Sequence, residues 1–345
     1  MYSFNSRDCS GGLNRILLMI PIFLLILACG GTALTQQAPV PASQTEQLRL
    51  GGETTPTHQA PTPTAQTEQL PPGDTTRNLV YAGIERSYVL HVPTGYDASR
   101  PTPLVLAFHG IGLNAEEMIR ISGLSKQADI SGFIVAYPNG TGENKSWNGG
   151  HCCGEAAKNN VDDVGFVRAL IDELAALINI DPGRVYATGF SNGAIMVYRL
   201  ACELSDRIAA IGPVSATQIL DDQQACQPTR SVPVIHFHGT ADRLNPYAGG
   251  ATQAGFQFVS VDDAIQFWVK KNGCSTQVQR TEAGSIVHDL YASCSQNSAV
   301  ELYTIQDGEH AWPGGEAVSP QVGEPTMEIS ATSLMWEFFD SHPMP

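Results

Sequence analysis

Short, continuously apolar segments alternate with amphipathic stretches through most of this chain. That alternation predicts an α/β fold, a mostly parallel central sheet flanked by helices on both faces. Two local patterns sharpen the expectation. Near the start, two β-rich runs surround Ala82-Gly83 and predict an N-terminal antiparallel hairpin. Further on, Gly189-Phe190-Ser191-Asn192-Gly193 lies between the apolar run Val185 to Thr188 and the helix-like stretch Ala194 to Cys202. A strand, a tight turn and a helix with serine at the bend make a nucleophile elbow, the signature of the α/β-hydrolase fold.

The elements follow in order. Arg77 to Pro93 reads as the hairpin. Leu104 to Phe108 is apolar throughout, as befits a central strand buried on both faces. A helix is predicted over Ala115 to Ile130 and a second buried strand over Gly132 to Tyr137. Asn139 to Asn160 is rich in Gly and Asn and reads as a long loop with Trp147 in its middle; loops of this length are usually functional or mobile. Asp162-Asp163 then opens a helix whose apolar positions Val164, Val167, Leu170, Ile171, Leu174, Leu177 and Ile178 keep the helical period. Both aspartates read as N-capping residues in preference to metal ligands. Strands are predicted at Arg184 to Thr188, Ile208 to Val214, Val232 to Phe237 and Val300 to Ile305, with helices at Asp262 to Lys271 and Ala331 to Asp340.

The chain has 345 residues, but its N-terminal part is not expected to join the core. Arg7 and Arg15 precede an apolar run from Ile16 to Ala28, interrupted by Pro21 and followed by Cys29. This is the pattern of a secretory signal over 1–29, too short to span a bilayer comfortably as a permanent helix. Its ending Ile26-Leu27-Ala28-Cys29 resembles a bacterial lipobox, which would make Cys29 a lipidation site and the only link to a membrane. Plain secretion and an uncleaved anchor are the alternatives. Residues 30–76 are Thr, Pro, Gln and Ala with scarcely any large apolar side chain, so they read as an extended tether; QTEQL stands in it twice, at Gln44 to Leu48 and Gln66 to Leu70. The catalytic domain is expected over 77–345.

A formal charge of −15 with no basic stripe argues against a nucleic-acid partner. Of eight cysteines, six lie in the exported part, and an even number in an oxidising compartment predicts disulfides. Cys202 with Cys226 and Cys274 with Cys294 would each close a short local excursion. That leaves adjacent Cys152 and Cys153, as a vicinal bridge or as thiols. Zinc is a poor alternative, because no C-x-x-C pair or matching histidine spacing accompanies them.

A serine nucleophile needs a base, an orienting acid and oxyanion donors. The chain order in this fold is Ser, then Asp or Glu, then His. After Ser191, the strand ending His236-Phe237-His238-Gly239 leads to Asp242, at the rim of the sheet where the elbow lies. The loop after the last strand carries His310. Ser191, Asp242 and His310 are therefore the expected catalytic residues; Asp307 and Glu309 are alternative acids, though they would have to fold back onto their neighbour. The Asn192 and Ile111 main-chain amides are the expected oxyanion donors. His109 reads as a packing residue. His236 and His238 fall on one face of a strand, but without a third ligand they read as structural, and no metal is expected.

Taken together, FHG at Phe108 to Gly110, Trp147-Asn148, Cys152-Cys153-Gly154, VDDVGF at Val161 to Phe166, GFSNGA at Gly189 to Ala194, HGTAD at His238 to Asp242 and GEHAWPGG at Gly308 to Gly315 form a specific set. The chain from Arg77 to His342 resembles the extracellular esterases of the polyhydroxybutyrate depolymerase family and the related feruloyl and acetylxylan esterases. The resemblance implies a secreted serine carboxylesterase that uses Ser191, Asp242 and His310 and needs no cofactor. Its ester substrate would be linked to polysaccharide or be a polyester. Trp147 and Trp312 would offer flat apolar faces to a feruloyl ring or a sugar.

Overall fold

The computed structural model describes residues 70–251, 255–319 and 322–345. The signal, Cys29 and tether assignments up to residue 69 lie outside the described residues. Strand β1 (Gly73–Tyr81) starts four residues before the expected domain boundary at Arg77, and Leu70, the last residue of the second QTEQL, is buried against the core. It pairs antiparallel with β2 (Ile84–Val92) through a turn at Ala82 and Gly83, both at positive φ, the geometry that two-residue hairpins favour.

The sheet continues with β3 (Thr102–Phe108), β4 (Ile134–Pro138), β5 (Ile180–Phe190), β6 (Ile211–Val214) and β7 (Val234–Gly239). Two-residue strands β8 (Gly250–Ala251) and β9 (Gln257–Phe258) form a separate ladder. Strands β10 (Val278–Ala283), β11 (Ile286–Tyr291) and β12 (Val300–Ile305) complete the main sheet, in spatial order β1-β2-β4-β3-β5-β6-β7-β12-β11-β10. The stretch from β4 to β12 is parallel, and antiparallel strands close both ends. This is the α/β-hydrolase fold. The β10–β11 hairpin was not anticipated: every residue of β10 is exposed, so no buried alternation announces it.

Eight α-helices cover the sheet among the described residues: α1 (Ala115–Ser122), α2 (Leu124–Ser131), α3 (Gly154–Lys158), α4 (Asp163–Leu177), α5 (Asn192–Glu203), α6 (Leu220–Ala225), α7 (Val261–Lys271) and α8 (Ala331–Ser341). The single helix expected over Ala115 to Ile130 is two, because Gly123 takes a left-handed φ of 62° and caps α1. Alternate residues of each central strand face opposite ways. Leu104, Leu106 and Phe108 pack with α4, α5 and α7; Val105 and Ala107 pack with α1, α2 and α8.

The two aspartates expected to cap α4 have separate roles. Asp162 is the cap, accepting from the Gly165 N–H, whereas Asp163 is fully buried and ion-paired to Arg86 at 2.9 Å. Burial pushes the Asp163 carboxyl up, and the Arg86 guanidinium opposes that shift. Arg86 also donates to the Asn139 carbonyl at 3.1 Å and lies over the Phe166 and Trp147 rings, while Asp163 accepts from the Asn148 N–H. This pair therefore anchors both ends of the first half of the long loop. Cysteines pair as expected, Cys202–Cys226 and Cys274–Cys294, and Cys152 and Cys153 form a vicinal bridge in that loop.

Arg86→Leu should destabilise the domain by about 3–5 kcal/mol, since it leaves the Asp163 charge buried without its counter-ion. In urea denaturation the double variant Arg86→Leu/Asp163→Leu should recover part of that loss; a double variant less stable than the single one would contradict the ion-pair account.

Candidate active site

Parallel strands bring the expected residues to one rim. β5 keeps pairing with β6 up to Ser191, whose N–H donates to the Val214 carbonyl at 3.0 Å. The chain then turns into α5 at once: the Ala194 and Ile195 N–H groups both donate to the Ser191 carbonyl. Ser191 stands at φ 56° and ψ −119°, a conformation costly for a residue with a Cβ and typical of functional turns. The turn closes only because its flanks are glycine. A Cβ on Gly189 would stand 2.4 Å from the Gly193 backbone, and one on Gly193 would collide with the Phe108 carbonyl.

His310 and Asp242 meet across 68 positions of sequence, with His310 Nδ1 2.7 Å from Asp242 Oδ2. Both side chains are almost wholly buried. Asp242 Oδ1 accepts from the Leu244 and Asn245 N–H groups, each at 2.9 Å. Burial pushes the Asp242 carboxyl up, but hydrogen bonds from His238 and His310 outweigh it and hold the group below the usual carboxylate range. The His310 ring packs on Phe190, next to the serine, with centroids 4.8 Å apart. Neither alternative acid reaches it: Asp307 is exposed, and Glu309 accepts from the Glu324 N–H.

The loop after β3 closes on the serine from the other side. A Cβ on Gly110 would lie 3.2 Å from Ser191 Cβ. Sequence reasoning gave His109 no part beyond packing, yet it fixes this loop. Its Nε2 accepts from the Gly140 N–H at 3.0 Å, so its proton sits on Nδ1, which donates to the Gly110 carbonyl at 2.7 Å. Burial pushes this imidazole down to about 4, consistent with a neutral ring. In a trans peptide the carbonyl and the next N–H point opposite ways, so anchoring the Gly110 carbonyl also sets the direction of the Ile111 N–H. The Ile111 side chain is half-exposed beside it. Asn192 opens α5, where first-turn N–H groups have no acceptor within the helix. Its side chain clamps the long loop, accepting from the Trp147 N–H at 2.8 Å and donating to the Trp147 carbonyl at 3.1 Å.

The two tryptophans lie elsewhere than expected. Trp147 is fully buried: its indole donates to the His109 carbonyl at 3.0 Å and meets Phe108 edge-on. Trp312 is 1% exposed and donates to Thr332 Oγ1 at 2.9 Å. Neither ring offers a face to a ligand, because each indole N–H is satisfied inside the protein and its apolar body completes the core. His236 and His238 share a buried face, as expected, and no group of three or more potential metal ligands occurs among the described residues.

A parallel-centred sheet with a serine elbow, a buried His–Asp pair at its rim and a glycine loop over the serine defines an α/β-hydrolase. Residues 86–255 match the family described as "Esterase PHB depolymerase". A relative named "Putative esterase NocK", of Nocardia uniformis subsp. tsuyamanensis, is 33% identical over 260 residues, covering 70% of this chain and 74% of the relative. Feruloyl esterase B of Piromyces equi is 32% identical over 240 residues, covering 67% of this chain but only 44% of that relative's length. Among solved structures, the acetyl xylan esterase from Aspergillus awamori superposes with a TM-score of 0.55 at 13% identity, over 77% of this chain and 99% of that one; the likeness is one of fold. The chain belongs to the polyhydroxybutyrate depolymerase esterase family, related to the feruloyl esterases.

Trp312→Phe should lower stability by about 1–2 kcal/mol, through the lost bond to Thr332. KM for a soluble ester should stay within about twofold of wild type. A raised KM with unchanged melting temperature would return Trp312 to the substrate site.

Proposed function

We propose that the protein is an exported serine carboxylesterase acting on feruloyl or acetyl esters of plant polysaccharide through an acyl-enzyme. The observation that carries this reading is the His310–Asp242 pair set against the strained turn at Ser191. His310 takes the proton of the Ser191 hydroxyl, and the alkoxide attacks the ester carbonyl. The Ile111 and Asn192 main-chain amides receive the oxyanion. Proton return from His310 releases the alcohol, leaving the acyl group on Ser191. Water activated by the same imidazole then releases the acid. Asp242 keeps the imidazole in the Nδ1–H tautomer and stabilises the imidazolium that forms in each step.

Support for the acyl class comes from relatives named as feruloyl esterases and from a bifunctional acetylxylan esterase and xylanase of Neocallimastix patriciarum, 29% identical over 158 residues. A cleft of about 300 Å³ beside α5, from Ile195 past Arg199 to Gln218 and Asp222, starts one helical turn beyond the serine. The three disulfides support export to an oxidising compartment. Attachment through a lipid at Cys29 belongs to the same reading.

Ser191→Ala should reduce hydrolysis of p-nitrophenyl acetate to background; retained hydrolysis rejects the mechanism. On a panel of feruloylated oligosaccharide, acetylxylan and polyhydroxybutyrate, the wild-type protein should release ferulate or acetate well ahead of hydroxybutyrate. Release of hydroxybutyrate alone would make the protein a polyester depolymerase.

A further inference from the structure

Beside Asp242, ending at the same carboxylate oxygen that His310 meets, three buried side chains form an unbroken hydrogen-bonded row. Tyr198 on α5 lies with its hydroxyl 2.9 Å from His236 Nδ1. His236 Nε2 is 3.1 Å from His238 Nδ1. His238 Nε2 reaches the Asn245 carbonyl at 2.8 Å and Asp242 Oδ2 at 3.4 Å. Tyr198, His236 and His238 are all essentially inaccessible to solvent.

The direction of these bonds is decided at the Asp242 end. Asn245 O and the carboxylate are both acceptors, so His238 must carry its proton on Nε2. In a neutral ring its Nδ1 is then a lone pair, which requires a proton on His236 Nε2. His236 Nδ1 is in turn a lone pair, and the Tyr198 hydroxyl donates to it. With both rings neutral, every link is satisfied in this one sense only. In the reverse sense the His238 lone pair would face two acceptors with no water to relieve it. Burial, and then the neighbouring His238, hold the His236 imidazole well below its ordinary value, in keeping with a neutral ring.

We infer that Tyr198, His236 and His238 are positioning residues for the reaction: they fix the tautomer that keeps the His238 N–H on the Asn245 carbonyl and beside Asp242 Oδ2, and so hold the carboxylate in line with His310. The inference rests on the Ser191, His310 and Asp242 reading above. His238 donates to the following turn at Asn245 O and lies 3.4 Å from Oδ2, while the Leu244 and Asn245 N–H groups hold Oδ1. Asp242 Oδ1 thus has two donors that are not the base, and Oδ2 faces both His310 and the His238 N–H. Other groups against the row are the Tyr247 ring, edge-on to His238 at 5.8 Å, and Trp268 of α7, stacked on Tyr198 at 6.2 Å. Tyr247 directs its hydroxyl to Thr304 and Asp262, away from the row.

The test is a double-mutant cycle on p-nitrophenyl acetate hydrolysis with His238→Leu, Asp242→Asn and the two combined, each checked for a wild-type near-ultraviolet circular dichroism spectrum. His238→Leu should lower kcat roughly 10- to 100-fold with KM within about twofold. Its kcat/KM acid limb should move to higher pH, because the carboxylate loses a donor that spread its charge. His238→Gln, which keeps an N–H at the same reach, should regain most of the rate, and Tyr198→Phe should give a smaller loss with the same direction of shift. In the Asp242→Asn background, His238→Leu should cost nothing further, since its effect passes through the carboxylate. Losses that multiply, or an acid limb that stays in place, would overturn the inference and leave the row a packing feature. If His238→Leu fails to fold, Tyr198→Phe decides by the same limb. Wild-type kcat in Asp242→Asn itself would instead strike down the underlying reading, and the inference with it.

Discussion

The whole site depends on one backbone constraint, the turn that carries Ser191 out of β5 and into α5 without an intervening loop. At φ 56° and ψ −119° a serine is held against its preference, and the surrounding contacts must over-determine it. They do so from three directions. β6 binds the Ser191 N–H, the first turn of α5 binds its carbonyl twice, and the absence of side chains at Gly189 and Gly193 lets strand β3 and the helix meet the bend. A fold that relaxed this turn would gain local stability and lose the exposure of the hydroxyl.

Everything else at the rim is placed relative to that bend by buried polar contacts rather than by loop chance. The segment from Asn139 to Asn160 looks like free loop by composition, yet it is tied down along its length. Arg86 holds the Asn139 carbonyl, Asp163 holds the Asn148 N–H, and Asn192 binds both main-chain groups of Trp147. Trp147 in turn bonds the His109 carbonyl, and the His109 ring bonds the Gly110 carbonyl. This chain runs from a buried ion pair to the peptide beside the serine. The Gly110 peptide is held in place by that chain of bonds.

How much of this could be read from the sequence depended on whether a signal was local. Apolar runs such as Leu104 to Phe108 and the Ala82-Gly83 turn announce their elements within a few residues, and the order of Ser191, Asp242 and His310 follows from where strands end. The β10–β11 hairpin gives no such signal, because Val278 to Ala283 is an exposed edge whose Arg280 and Glu282 guard against further pairing rather than pack. Trp147 and Trp312 were misplaced because an indole reads alike whether it lines a pocket or fills a core; only the partners of its N–H decide. His236 and His238 were readable as neighbours on one face. Tyr198, which completes their row, comes from another element 38 positions away from His236 and left no trace in the local pattern.

The claim that Ser191 is the activated nucleophile is tested most directly by treating the folded domain with a fluorophosphonate and mapping the adduct by mass spectrometry. The account predicts about one adduct per chain, on the peptide holding Ser191, formed much more slowly when His310 is replaced by alanine. An unlabelled protein, or an adduct on any other serine, would contradict it.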